Sequence, residues 1–139
     1  MADTFDFKLI TPTGIVYEGG VEQATMIGAL GEFAVLAMHT DFITSILPGV
    51  LTLKGSDGMT EYLLSGGLAE VKDGAMTVLA DDATPPTAVD SAAAAAEVTA
   101  AEAKLAPMST FDPDYDAAMH ALLLARSRAN INQLRRASH

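Results

Sequence analysis

The stretch from residue 69 to residue 78 reads Ala69-Glu70-Val71-Lys72-Asp73-Gly74-Ala75-Met76-Thr77-Val78. Strand-like runs rich in apolar residues lie on both sides of Asp73-Gly74. An Asp-Gly pair in this position is typical of a tight hairpin, because the primed turns that join antiparallel strands need positive φ at their central residues. The sequence therefore predicts two antiparallel strands joined by a two-residue loop at Asp73-Gly74.

Similar short runs cover most of the first 84 residues. A second Asp-Gly pair, Asp57-Gly58, lies between residues 50–54 and residues 60–64. Near the start of the chain, residues 5–9 alternate between apolar and polar, which is the period of a half-buried strand. Residues 21–27 also have a strand-like composition and are followed by a glycine-rich turn. We expect about eight to ten short strands that pack as an antiparallel β sandwich.

The composition changes after residue 84. The segment Thr84-Pro85-Pro86-Thr87 is predicted to be a linker, because proline lacks the N–H group that strand pairing requires. Alanine fills residues 92–96 and has the highest helix propensity of any residue. We expect Asp90 to cap this first helix and Pro107 to end it.

A second helix is predicted to start at Asp112, with Pro113 in its first turn. Tyr115, Met119 and Leu122 form an apolar stripe that Arg126 interrupts, while Ile131 and Leu134 point elsewhere. We therefore expect the helices to pack only lightly on the sandwich. The chain is therefore divided into a β-sandwich domain, residues 1–88, and an antiparallel helical hairpin domain, residues 89–139.

The charges are unevenly distributed along the chain. Residues 1–110 contain fifteen Asp or Glu and four Lys, whereas the last 29 residues contain three Asp and all the arginines. Basic residues at a helix C-terminus stabilise the helix dipole, but two of the arginines lie well inside the helix. A basic helical end on an acidic body predicts contact with an acidic partner. The arginines are Arg126, Arg128, Arg135 and Arg136.

Several classes of function are excluded by composition. The chain has no cysteine, so neither a disulfide framework nor a thiolate zinc site is expected. No apolar run approaches the roughly 20 residues that span a bilayer, and the first residues lack the basic start of a signal peptide. The acidic body would repel nucleic acid and anionic lipid. We therefore expect no nucleic-acid partner and no direct membrane insertion.

The residues give little support for catalysis. Ser65 lacks the glycine two places before it that a nucleophile elbow requires, and His39 is the one histidine of the β portion. The segment Gly28-Ala29-Leu30-Gly31 lacks the Lys-Ser/Thr end of a phosphate loop, so we interpret it as a turn between strands. Without a nucleophile, a base and a stabilising group together, we predict no catalytic residue, no metal site and no cofactor.

Short motifs spread through the β portion carry a family resemblance. In chain order they are Leu9-Ile10-Thr11-Pro12, Val16-Tyr17-Glu18-Gly19, Gly31-Glu32-Phe33 with Val35-Leu36 and His39, Leu47-Pro48-Gly49-Val50-Leu51, Tyr62-Leu63-Leu64-Ser65-Gly66-Gly67-Leu68-Ala69-Glu70-Val71 and Thr77-Val78-Leu79-Ala80-Asp81. No single motif is specific, but together they cover nearly all of residues 5–84. In order and spacing the chain resembles the ε subunit of bacterial rotary ATP synthases, which is called δ in mitochondria.

The resemblance implies a sandwich of about ten strands, followed by an antiparallel helical hairpin, in a non-catalytic subunit of the central rotor. Such a subunit lies on the cytoplasmic face of the bacterial inner membrane, at the foot of the γ subunit, and touches the polar loops of the c-ring. In the family, a Gly-Glu loop and the histidine that follows it face this ring. These positions correspond to Glu32 and His39, although a lone histidine in a loop is more often a polar turn residue.

The resemblance also implies that the hairpin can fold onto the sandwich or extend along γ into the catalytic head of α and β subunits. When extended, its basic residues meet an acidic segment of a catalytic β subunit and impede ATP hydrolysis. Some relatives bind ATP through an Ile/Leu-Asp-x-x-Arg-Ala pattern in the first helix. Here Asp90 matches, but Ala93 stands in the place of the arginine that would contact phosphate. We therefore expect no ATP binding at low millimolar concentration.

A different class of function also fits this layout. A free-standing adaptor or ligand-sensing module could use the β sandwich as its binding domain and the helical hairpin as a lid. The long match over residues 5–84 favours the rotor subunit.

Overall fold

The computed structural model describes residues 3–56, 58–88 and 90–137, and for residues 88, 91 and 132–137 it describes the backbone alone. Within these ranges, ten β-strands precede two α-helices, as predicted. They are β1 (Phe5–Thr11), β2 (Gly14–Val21), β3 (Gln23–Gly28), β4 (Gly31–Leu36), β5 (Phe42–Ile46), β6 (Gly49–Gly55), β7 (Gly58–Leu64), β8 (Gly67–Lys72), β9 (Ala75–Ala80), β10 (Ala83–Thr84), α1 (Ser91–Leu105) and α2 (Tyr115–Ala137). A single 3₁₀ turn, Pro86–Ala88, links the two parts.

The strands form one long sheet that folds into two layers. Their order is β10-β7-β6-β3-β5-β8-β9-β1-β2, with β4 paired to β3 outside this path. Between β3 and β5 the pairing narrows to Gly28 opposite Ile46, and at this junction the sheet passes from one layer to the other. The described pairs are antiparallel except β1 with β9, which run parallel with Asp6 opposite Ala75. Hairpin signals could not reveal this pair, because the two strands are far apart in the chain.

Alternating side chains build the core between the layers. In β1, Phe5, Phe7 and Leu9 are buried, whereas Asp6 and Lys8 point outward. Every member of the main buried cluster comes from the sandwich strands. The helices therefore lie outside the core that holds the two layers together.

The hairpin predicted at Asp73-Gly74 is confirmed. Asp73 has φ of 52° and Gly74 has φ of 77°, as a primed turn requires, and these residues join β8 to β9. The other predicted hairpin joins β6 to β7, with Gly55 opposite Gly58. Asp57 lies outside the described residues.

The predicted start of α1 is confirmed, whereas α2 begins at Tyr115, two residues after Pro113, the predicted first helical residue. Asp90 caps α1, because its Oδ1 accepts hydrogen bonds from the N–H groups of Ala92 at 3.0 Å and Ala93 at 3.2 Å. At the second helix, the Asp112 carboxylate accepts instead from Asp114 N at 3.4 Å, in a local turn that delays the helix until Tyr115.

α2 lies between α1 and the sandwich and uses opposite sides for the two contacts. One side carries the buried residues Ala118, Leu122 and Ala125 and packs on α1; we call it the α1-facing side. The other side packs on β6 and β7, where Ser127 Oγ lies 3.5 Å from the Pro48 carbonyl oxygen. The apolar stripe predicted from Tyr115, Met119 and Leu122 therefore did not describe this contact fully. Two of the three buried residues on the α1-facing side are alanines.

The hairpin is therefore folded down on the outer face of β6 and β7. Leu63 is 2% exposed although it lies outside the main core, and Ile131 of α2 is fully buried. His120 also approaches the sandwich, since a Cβ placed on Gly66 would lie 3.5 Å from the His120 ring.

A chain that ends at residue 88 is expected to fold alone. The main core would be intact, and the principal loss would be the cover over Leu63, which is worth about 2 kcal/mol. Circular dichroism should show a cooperative β-type melt at a temperature somewhat below that of the full chain. An unfolded or aggregated product would show instead that the hairpin is part of the sandwich's folding unit.

Candidate functional site

A concave surface of about 280 Å³ lies where β3 turns into β4. Phe33 and Phe42 form its aromatic floor, with ring centroids 5.7 Å apart and planes nearly perpendicular. We call this surface the loop-end depression. It is lined by Gly28, Ala29, Leu30, Gly31, Glu32, Phe33, His39, Phe42 and Thr44.

The loop-end depression brings together the two residues that the resemblance singled out. Glu32 lies on β4, opposite Ile27 of β3, and is exposed. His39 lies in the loop between β4 and β5, where its ring centroid is 5.0 Å from that of Phe42 and its Nδ1 is 2.8 Å from the Thr40 carbonyl oxygen. A carboxylate and an imidazole thus border one aromatic floor, where both can hydrogen-bond to a polar partner.

Two exposed apolar side chains that the sequence analysis missed accompany the depression. Leu30, which lines it, is 105% exposed, and Met38, which precedes His39 in the chain, is 90% exposed. Met38 also has φ of 65°, an uncommon conformation for a residue other than glycine. Exposed apolar side chains beside hydrogen-bonding groups are typical of an interaction surface. A signal was present in the Gly28–Gly31 turn, where an apolar Leu30 stands between glycines.

A second apolar surface crosses the outer face of the other layer. Leu68 of β8 pairs with Leu79 of β9, Leu79 with Ile10 of β1, and Ile10 with Ile15 of β2. Leu68, Leu79 and Ile15 are 38%, 49% and 57% exposed. These four side chains form the sheet-face row, which no motif in the sequence indicated.

Residues 4–86, which span the whole sandwich, match the family described as ATP synthase, Delta/Epsilon chain, beta-sandwich domain. The chain belongs to this family. Among its relatives, the ATP synthase epsilon chains of a Bradyrhizobium species and of Afipia carboxidovorans are each 40% identical over 102 residues. These alignments cover 73% of this chain and 76% and 75% of the two relatives. As a family member, the chain is a non-catalytic subunit of ATP synthase.

Two solved assemblies contain chains of the same fold. A chain of the Euglena gracilis mitochondrial ATP synthase, solved with its OSCP, F1 and c-ring parts, matches with a TM-score of 0.75 and 24% identity over 98% of this chain and 82% of its own length. A chain in the Tetrahymena thermophila central stalk and c-ring structure matches with a TM-score of 0.61 and 14% identity, over 92% and 98%. Both matches extend through the sandwich and most of the helical part.

Two arginines of this family member have acidic partners in the folded hairpin. Arg126 Nη2 lies 3.4 Å from Glu102 Oε1, and Arg128 Nη1 lies 3.0 Å from Glu97 Oε2. Arg135 and Arg136 fall within α2, but their side chains lie outside the described residues. The helix dipole did not account for the two internal arginines, whereas these ion pairs with α1 do.

Of the charged residues in the Ile/Leu-Asp-x-x-Arg-Ala pattern described above, this chain contains only Asp90. The Asp90 carboxylate is occupied as the cap of α1, and Ala93 is one of the residues whose N–H it accepts. The absence of ATP binding stays a prediction. Among the described residues, no group of three or more His, Cys, Asp or Glu side chains could hold a metal ion. In the same part of the chain, no helix combines the length and apolar character needed to cross a bilayer.

Proposed function

We propose that the chain is a rotor subunit of a proton-translocating ATP synthase and couples the γ subunit to the c-ring of the membrane sector. The observation that carries this proposal is the family match over the entire sandwich, residues 4–86. In this role the chain lies on the cytoplasmic face of the bacterial inner membrane, as a peripheral part of the complex.

The loop-end depression is the proposed contact with the c-ring. Glu32 and His39 provide hydrogen-bonding and charged groups for the polar loops of the ring. Leu30 and Met38 provide apolar contact beside them, so that the surface combines the apolar centre and polar groups found in protein interfaces. Neither residue of the Glu32–His39 pair is buried, so both are available to a partner.

The sheet-face row is the proposed contact with γ. Its four side chains are aligned by strand register on one face of the sheet, where a flat partner surface can cover them together. The row lies on the layer that contains β8, β9, β1 and β2, whereas the depression lies where β3 meets β4. Two partners can therefore bind at the same time, which is the geometric requirement for a coupling subunit.

The arginines of α2 are the proposed contact with the catalytic head. Arg126, Arg128, Arg135 and Arg136 would meet an acidic segment of a catalytic β subunit when the hairpin extends beside γ. Exposed ion pairs contribute only about 0–1 kcal/mol each, so inhibition of ATP hydrolysis depends on several of them together.

Co-purification from detergent-solubilised membranes tests the proposed function. A tagged chain is expected to recover the γ, α and β subunits and the c-ring. A soluble partner set without catalytic subunits would support the adaptor or ligand-sensing module and overturn the rotor role.

The variant I15T/L79T sharpens this test. Threonine keeps the preference for strands but removes apolar contact area, so recovery of γ is expected to fall at least tenfold while the fold persists. The variant M59T is a suitable control, because Met59 is 65% exposed and lies on β7 in the other layer. Equal recovery of γ by I15T/L79T and M59T would place the γ contact elsewhere on the chain.

A further inference from the structure

Arg126 and Arg128 leave α2 on opposite flanks of its α1-facing side. Successive residues of an α-helix are about 100° apart, which places each arginine roughly 70° to 90° from the centre of that side. α1 covers the space between them, and each guanidinium reaches a carboxylate of α1. The two helices are thus joined by one ion pair on each edge of their contact.

α1 has few other polar groups with which to hold α2. Its fifteen residues include two acids, Glu97 and Glu102, and both are paired with arginines of α2. Most of the rest is alanine, which packs closely but offers no charge or hydrogen bond. Each of the two acids of α1 therefore lies where it can pair with one arginine of α2.

We propose that Glu97 and Glu102 act as an internal acidic partner that competes with the acidic segment of the catalytic subunit for Arg126 and Arg128. This inference rests on the inhibitory contact proposed above. A guanidinium bound to a carboxylate of α1 cannot make the same contacts to a second carboxylate. An external segment that reaches both arginines across the α1-facing side must also displace α1. The strength of inhibition is therefore set partly by α1 itself.

The two ion pairs can shift the equilibrium between the folded hairpin and the tail bound to the catalytic head, but they are too weak to hold the hairpin in one state. All four side chains are between 38% and 53% exposed, so solvent screens the attraction. Two exposed pairs shift an equilibrium by about three- to tenfold. Loss of both should move the tail toward the catalytic head by a factor in that range.

The double variant E97Q/E102Q tests the competition. Glutamine keeps the size and helix propensity of glutamate but removes its charge. ATP hydrolysis by the purified complex under conditions of partial inhibition is expected to fall by about threefold or more at low salt, because more tails occupy the inhibitory position. The control D3N/E22Q removes two charges from residues outside both the sheet-face row and the loop-end depression and is expected to leave hydrolysis unchanged.

Hydrogen exchange of the isolated subunit provides a second measurement. In E97Q/E102Q, amides of α1 are expected to exchange about three- to tenfold faster than in the unmodified chain, whereas amides of the β core stay unchanged. Unchanged exchange in α1 would show that the pairs do not hold the helices together and would overturn the inference. Faster exchange with unchanged hydrolysis would also overturn it, because the released arginines would then have no second partner.

The four-arginine variant R126Q/R128Q/R135Q/R136Q separates this inference from the proposed inhibitory role. This variant is expected to raise hydrolysis, and adding E97Q/E102Q to it is expected to have no further effect. Equal hydrolysis with and without the four arginines would remove the tail's inhibitory role altogether. Higher hydrolysis in the four-arginine variant, together with no effect of E97Q/E102Q in the unmodified tail, would leave that role standing and reject only the competition.

Discussion

Replacing Gly67 by alanine is expected to lower the free energy of unfolding by more than about 4 kcal/mol or to prevent folding. Gly67 has φ of +151° and pairs with both Ile46 and Ala80. A Cβ at this position would overlap the carbonyl oxygen of Leu79 and lie 2.9 Å from the Ala80 Cα. These neighbours are backbone atoms of a central strand, so relief of the overlap would break the pairing of β8 with β9.

Alanine substitutions at two other glycines distinguish the effect of steric overlap from the effect of backbone strain. Gly31 has φ of +117° with nothing within 4 Å of its Cβ position, so G31A should cost only the strain, about 1–3 kcal/mol. The φ of Gly55 does not lie between +20° and +160°, and a Cβ there would meet only the Gly58 carbonyl oxygen, at 3.9 Å. G55A should therefore change stability by less than about 1 kcal/mol. Urea denaturation of the isolated subunit measures all three. A loss in G67A no larger than that in G31A would contradict the predicted overlap.

The variant E32K/H39K, which reverses the charge of Glu32 and adds one at His39, is expected to lower proton-driven ATP synthesis by about fivefold or more. Two polar contacts contribute about 1–3 kcal/mol together, which is roughly a five- to 150-fold change in affinity for the c-ring. Because Glu32 and His39 are exposed, the melting temperature of the isolated subunit should hardly change. Membrane vesicles provide the synthesis assay, and detergent pull-down provides retention of the c-ring.

The variant E22K is the control for this charge reversal, because Glu22 lies between β2 and β3, outside the residues that line the depression. It should retain both synthesis and the c-ring. A large drop in the melting temperature of E32K/H39K with the c-ring still bound would show that these two residues support the fold rather than the coupling.

Local parts of the fold could be predicted from the sequence. The Asp73-Gly74 turn and the Asp90 cap follow from backbone preferences that act within a few residues. The parallel pairing of β1 with β9 could not be predicted in this way, because it depends on contacts between distant segments. The start of α2 was missed because the Asp112 side chain and backbone stabilise a turn as readily as a helix cap.

The candidate site was harder to predict from the sequence than the local fold. Glu32 and His39 were identified through the family resemblance, since a single glutamate and a single histidine carry no chemical signature of their own. The sheet-face row became visible only with the strand register, which brings Ile15 opposite Ile10 and Ile10 opposite Leu79. The arginines showed the need for an acidic partner, but their position along α2 did not reveal that α1 contains one.

The parallel pairing of β1 with β9 has a consequence for the order of events during synthesis. Asp6 pairs with Ala75, which is synthesised about 70 residues later. At roughly 5–20 residues per second, β1 therefore lacks β9 as its second neighbour for several seconds during synthesis. Until then it can pair only with β2, and an isolated two-stranded ribbon is marginally stable. The apolar residues Phe5, Phe7 and Leu9 stay open to other nascent chains during this interval. Chaperone demand should therefore be greatest before β9 emerges and should fall before the helices emerge.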